Sequence, residues 1–216
     1  MEENLIRFNK KVKILFIDFE TSNLCLSPKF NLPWQMAIIK TVGGQPQDEG
    51  KSYLINWGEE FSFSKGALEM AHSFSEKKMR EEGIKPIEAL NILSKELSET
   101  EAVAGHNILG FDIYLIKGLY EKMGRKFPDI LSKKRVFDTL AFSKGLFNNI
   151  PIQDKEDSIS YQYKMINSLI KGSKTSLSKV AENFGIEYDP GMLHDALYDL
   201  NLNVKIWNKL KYQVNI

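Results

Sequence analysis

Hydrophobic and polar positions change their period along this chain, and the changes outline its elements. Residues 14–17, ILFI, form an apolar run inside residues 12–20 that leads directly into Asp18, Phe19 and Glu20. A short apolar run of this kind predicts a buried strand. Residues 22–33 contain Ser22, Asn23, Ser27, Pro28, Asn31 and Pro33, a loop composition. WQMAIIKTV (34–42) predicts a second strand, GGQPQDEG (43–50) a turn and KSYLINW (51–57) a third strand, together an antiparallel hairpin. The pattern then becomes helical. Residues 75–82 predict a short charged helix. Residues 86–97 predict another, with Pro86 in its first turn and Ile87, Leu90, Leu93 and Leu97 at helical spacing.

A short apolar segment, 102–104, ends at Gly105, and residues 110–123 predict a helix with Phe111, Leu115, Ile116 and Leu119 inward. Residues 133–140 predict a strand that turns into a helix at Asp138, with Asp138 and Thr139 placed to cap it. The segment 147–174 carries the weakest pattern, with a helix expected over 158–170. Residues 176–184 and 195–210 predict the last two helices, the first closed by Gly185. Strands first, then strands alternating with helices, predict an α/β fold with a mixed sheet covered by helices. Residues 1–11 are expected to be a loose lead-in and 12–216 a single domain.

Composition narrows the functional classes. Of 216 residues, 43% are hydrophobic and 26% charged, ordinary for a globular protein with a real core. Lys plus Arg is 29 and Asp plus Glu is 28, a net charge of +1. That balance argues against coating long stretches of nucleic acid but leaves room for gripping a strand end. The single cysteine, Cys25, excludes an internal disulfide and reads as a small buried hydrophobe in a reducing compartment, hence a cytoplasmic protein. No apolar run approaches the ~20 residues of a membrane helix.

The chemistry concentrates at the end of the first strand. Side chains alternate along a strand, so Asp18 and Glu20 share one face. Two acids there repel each other and require a cation. Asp112 opens a helix that follows a short strand, a place where α/β sites are built. Asp199 follows His194 by five residues, which on a continuous helix separates them by ~140°. The two face one centre only if His194 lies on the loop side of the helix start. Taken singly, each has a plain structural explanation: a dipole-stabilising acid for Asp112, a solvated helix acid for Asp199 and for Asp195, and hydrogen-bonded structural histidines for His72 and His106. Their combination and order carry the signal.

Asp18-x-Glu20, then His106-Asn107-x-x-x-Phe111-Asp112, then His194-x-x-x-x-Asp199 resembles the three motifs of the DEDDh 3′–5′ exonucleases, the family of proofreading subunits and oligoribonuclease. Residues 34–37 resemble its second strand, Ile55-Asn56 and 71–75 its next segment, 137–140 its D-T-L step, and 177–186 the helix before the last motif. Departures fall at Ser22-Asn23, at Trp57 in place of a proline, and at Ser73 in place of a glycine. The resemblance implies a ribonuclease H-like fold, a five-stranded mixed sheet flanked by helices. It implies two divalent ions, Mg²⁺ or Mn²⁺, held by Asp18, Glu20, Asp112 and Asp199, with His194 as general base. It also implies hydrolysis of phosphodiester bonds from the 3′ end of DNA or RNA, releasing nucleoside 5′-monophosphates, and nucleic acid 3′ ends as partners; a polymerase is a further candidate partner, with a stand-alone enzyme the favoured reading. Thr21, Leu24, Phe74, Asn107 and Phe111 are the expected substrate contacts, although Phe111 fits a core position equally well and Asn107 a loop brace. Two basic groups, Lys133 with Lys134 and Arg135, and Lys171 with Lys174 and Lys179, are expected to be mainly solvated faces. The alternative is a catalytically weak binding module on the same fold.

Overall fold

The computed structural model describes residues 6, 9–27, 29–130, 135–153 and 156–215. Strand β1 (Lys13–Thr21) is the axis of the sheet. It pairs antiparallel with β2 (Pro33–Val42) on one side and parallel with β5 (Ala102–Gly105) on the other, and β6 (Arg135–Asp138) adds parallel to β5. Beyond β2 lie β4 (Lys51–Leu54) and the two-residue β3 (Gln45–Pro46). Among the described residues this is a mixed sheet of five strands plus the short β3, as the resemblance implied. The predicted third strand ends early. Ile55 still donates its N–H to the Trp34 carbonyl of β2 at 2.8 Å but forms an isolated parallel bridge with Ile84.

The α-helices described in full are α1 (Lys65–Met70), α2 (Glu76–Glu82), α3 (Pro86–Glu99), α4 (Asp112–Lys122), α5 (Thr139–Phe147), α6 (Ser158–Asn167), α7 (Leu177–Asn183) and α8 (Ala196–Leu210). Sequence reasoning missed α1. Its six residues are too few to show a helical period, and its start is marked only by Ser64, which accepts from the Ala67 N–H. Ser75, Asp138, Asp157, Ser176 and Asp195 cap α2, α5, α6, α7 and α8 in the same way. Helix α6 stops at Asn167, short of the expected Ile170.

Strand alternation sorts the core into two layers. Leu15, Ile17 and Phe19 face α3 and α4, joining Leu90, Leu93, Ile116 and Leu119. Ile14 and Phe16 face the other side and meet Leu200, Val204 and Trp207 of α8. Trp207 is fully buried, edge-on to Phe16 at 6.5 Å and stacked on Phe137 at 4.9 Å. Burying an aromatic side chain this completely is worth roughly 2–3 kcal/mol. Ile6, within the expected lead-in, is buried in this second layer. The parity has a functional consequence. Asp18 and Glu20 continue the Ile14–Phe16 face and therefore look toward α8, not α4.

Candidate active site

The site lies at the carboxyl end of the parallel strands, where open α/β sheets place their ligands. The β1–β5 ladder runs only from Ile14 to Phe16, so the rest of β1 is open on that side. β5 stops at Gly105, where a Cβ would sit 3.0 Å from the Ile17 carbonyl oxygen and 2.9 Å from the Ile108 Cβ. Only glycine permits that close turn. The chain then passes through Asn107, in a left-handed conformation at φ 62°, and enters α4 at Asp112. Asp112 is buried there, and its carboxyl senses both the Asp18 charge and the Phe19 N–H of β1.

The opposite wall is the start of α8. The helix begins at Ala196, so His194 lies on the loop side, as its spacing to Asp199 demands. His194 has a φ of 66°, a conformation uncommon for a non-glycine residue. Two contacts hold it: its N–H donates to Asp199 Oδ2 at 3.1 Å, and its carbonyl accepts from Ser73 Oγ at 3.0 Å. β2 organises both supports. Gln35, opposite Glu20 in the ladder, donates to Asp195 Oδ2 at 3.2 Å and accepts from the Ala196 N–H at 3.5 Å. Its neighbour Trp34 packs edge-on against Phe74 at 5.1 Å, next to Ser73.

The electrostatics are those of acids without a counter-charge. Burial, then Asp199 and Asp195, push Asp18 up to about 8. Burial, then Asp18, Asp199 and Asp195, push Glu20 up to about 9. Asp112 is raised well above the carboxylate range by burial and by Asp18. Burial raises Asp199 to about 6, against the opposing pull of the His194 N–H. Among the described residues the charges acting on Asp18, Glu20 and Asp199 are those of other carboxylates. His194 is lowered by burial and by His72, whose ring lies 6.3 Å away.

This arrangement fits divalent cations. Glu20, His194 and Asp199 offer ligand atoms within 4.8 Å of one another. Asp199 Oδ1 is buried without a hydrogen-bond partner among the described residues, an acceptor left for a ligand. Carboxylate oxygens are the donors that Mg²⁺ and Mn²⁺ prefer.

The remaining candidates separate. Thr21 is buried and donates to the Asn23 carbonyl at 2.7 Å. Leu24 is exposed beyond it. Phe74 is half-buried in a cluster with Trp34, Phe61 and Phe63. Phe111 packs against the first core layer. The Asn107 N–H donates to Asp138 at 3.1 Å. His106 is structural, its Nε2 against the Thr175 carbonyl at 2.9 Å and its Nδ1 against Thr139 Oγ1 at 3.0 Å. Trp57 lies in the core and donates to the Pro33 carbonyl. Lys133 and Lys134 fall outside the described residues; Arg135 covers Phe137 at 5.3 Å, and Lys179 pairs with Glu182 at 2.7 Å. His72, Gln35 and Ser73 gained functional interest only from the structure. Their sequence signal was the weak match of residues 34–37 and 71–75 to the family.

No family model matches the sequence, and no curated protein matches it. Solved structures do. Escherichia coli exonuclease I with single-stranded DNA, in its zinc-ion-bound form, has a TM-score of 0.73 at 16% identity over 94% of this chain and 41% of that one. The E. coli enzyme with a dA16 oligonucleotide gives the same values. An ExoI/SSB-Ct complex gives 0.71 at 16% identity over 94% and 42%. The fold is the ribonuclease H-like fold of exonuclease I. The chain spans about two fifths of the length of these structures. At this identity the likeness speaks to the fold, and the chemistry must be argued from the residues. Among the described residues no helix is long and apolar enough to cross a membrane.

Proposed function

We propose that this protein is a metal-dependent 3′–5′ exonuclease that releases nucleoside 5′-monophosphates from DNA or RNA ends. One observation supports the reading: Glu20, His194 and Asp199 offer ligand atoms within 4.8 Å of one another, and the Asp18 charge acts on both Glu20 and Asp112 beside them. Two divalent ions, Mg²⁺ or Mn²⁺, held by Asp18, Glu20, Asp112 and Asp199, would supply Lewis acidity to the scissile phosphate and its attacking and leaving oxygens. The protein's own part is to hold and to move a proton. Asp18 and Glu20, fixed on a buried strand, keep the donor geometry rigid. Asp112 opens α4 beside the open edge of that strand. Burial and His72 lower the proton affinity of His194, which favours its neutral ring. A neutral imidazole can take the proton of the attacking water. The Asp199 contact to the His194 N–H fixes the loop that presents the ring.

E. coli exonuclease I is recorded with single-stranded DNA, and an ExoI complex with SSB-Ct. Together with the near-neutral net charge, these favour unpaired 3′ ends as substrate over long duplex. The alternative, a catalytically weak binding module, predicts nucleic acid binding without turnover. A time course with end-labelled single- and double-stranded DNA and RNA, with Mg²⁺ or Mn²⁺, decides. Stepwise shortening from the 3′ end with 5′-mononucleotide release is expected. Inertness on every 3′-ended substrate with both ions overturns the assignment.

A further inference from the structure

We infer that the loop after β1, through its residues 22–27 and 29–31, is a prebuilt surface for unpaired nucleotides, with Phe30 as its stacking platform and Lys29 as its phosphate contact. This rests on the nuclease reading above and extends it to the strand beyond the terminal nucleotide. Position comes first. β1 and β2 stay paired to Thr21 and Pro33, so the loop leaves the sheet just beyond Glu20. It is also fastened to the start of α1, through the Ser64 N–H to the Ser22 carbonyl at 2.8 Å.

The loop is rigid where rigidity is useful. Asn31 Oδ1 accepts the Asn23 N–H at 3.0 Å, and Asn31 Nδ2 donates to the Cys25 carbonyl at 2.8 Å. Asn23 Oδ1 accepts from the N–H groups of Leu24 and Cys25. The N–H groups of Phe30 and Asn31 both reach the Ser27 carbonyl at 3.0 Å. The polar groups therefore bond inward, while Leu26 is 46% and Phe30 60% exposed. Cys25, expected to be buried, is only half-buried here. A loop that spends its polar groups on itself and shows apolar side chains to solvent is organised for contact, and its order is fixed before binding.

Charge points to the occupant. No Asp or Glu occurs from residue 21 to residue 47. The loop's only cation, Lys29, places Nζ 5.3 Å from the Phe30 ring centre, and it forms no ion pair among the described residues. An aromatic face beside a free ammonium, next to a phosphodiester site, matches one base and its phosphate. Aromatic stacking holds unpaired bases with little sequence preference, and a duplex keeps its bases stacked on one another.

The test compares two substrates and one binding measurement. Phe30→Ala should reduce kcat/KM on a single-stranded oligonucleotide of a dozen nucleotides about tenfold more than on the p-nitrophenyl ester of thymidine 5′-monophosphate, which is too small to reach the loop. Phe30→Tyr should restore it, and Lys29→Ala should flatten the salt dependence of oligonucleotide binding. In parallel, metal-free protein is titrated with an oligonucleotide carrying 2-aminopurine next to its 3′ nucleotide. Fluorescence quenching by stacking should be lost in Phe30→Ala. Equal loss on both substrates, or undiminished quenching, overturns the inference and leaves the nuclease assignment intact. Hydrolysis of neither substrate by the unaltered protein defeats that assignment instead, and the metal-free titration still decides for the loop.

Discussion

Two groups of buried acids and histidines lie at the carboxyl end of this sheet, and they differ in partners more than in burial. Asp138 is completely buried, yet its oxygens accept from the N–H groups of Asn107, Leu109 and Ala141 at 3.0–3.1 Å. Burial raises it to about 6, with these donors pulling the other way. Glu20 is less buried and is pushed to about 9, because beyond burial it meets only other carboxylates. The histidines repeat the contrast. Both ring nitrogens of His106 are bonded, and burial lowers it to about 4. The His194 ring makes no hydrogen bond among the described residues. Saturated groups hold the scaffold, and unsaturated ones wait for a ligand or a proton. Asp138 links the two, since the loop it braces delivers Asp112.

Breaking the unsaturated group should cost activity before stability. Asp18→Ala is expected to lower turnover by about 10³-fold or more and to abolish the rise in melting temperature on adding Mn²⁺. His194→Ala is expected to lower kcat by about 10²–10⁴-fold while keeping that metal-dependent rise, measurable by steady-state kinetics beside thermal denaturation. Unchanged kcat in either variant breaks the assignment of roles.

The saturated group should respond in the opposite way. Asp138→Ala leaves three buried N–H donors unpaired and is expected to lower unfolding free energy by about 3 kcal/mol in denaturant titration. Asp18→Asn, by contrast, is expected to raise the melting temperature of the metal-free protein at pH 9. A fall in both would erase the distinction drawn between the two groups.

The same contrast should appear in pH dependence. Asp18 and Glu20 have folded-state values raised to about 8 and about 9, above their unfolded values of 3.8 and 4.5. Their contribution is fully present below pH 4 and is lost as pH rises through the folded values. Between pH 5 and 9 these groups therefore make metal-free protein progressively less stable, and the melting-temperature increment from Mg²⁺ should grow over that range. An increment that shrinks with pH would show that the carboxylates do not repel one another in the absence of metal.

Much of this was legible along the chain because it is local. The apolar run 14–17 and the hairpin composition marked β1, β2 and β4. Apolar spacing marked most helices and Asp138 the start of α5, with boundaries off by a few residues. The six-residue α1 was not legible, nor was the aromatic cluster of Trp34, Phe61, Phe63 and Phe74, whose members are distant in sequence and meet only on packing. Asp18 and Glu20 could be put on one face from strand alternation, but which layer that face meets could not.

By itself, then, the sequence determined the carboxylates, their order and the repulsion within the Asp18–Glu20 pair, since side-chain alternation and charge repulsion are properties of the chain. Tertiary structure decided that Asp18 and Glu20 face α8, that His194 turns back on Asp199 through a left-handed residue, and that His106 is a brace. Those outcomes depend on which groups find hydrogen-bond partners after packing, and that is settled between elements far apart in the chain.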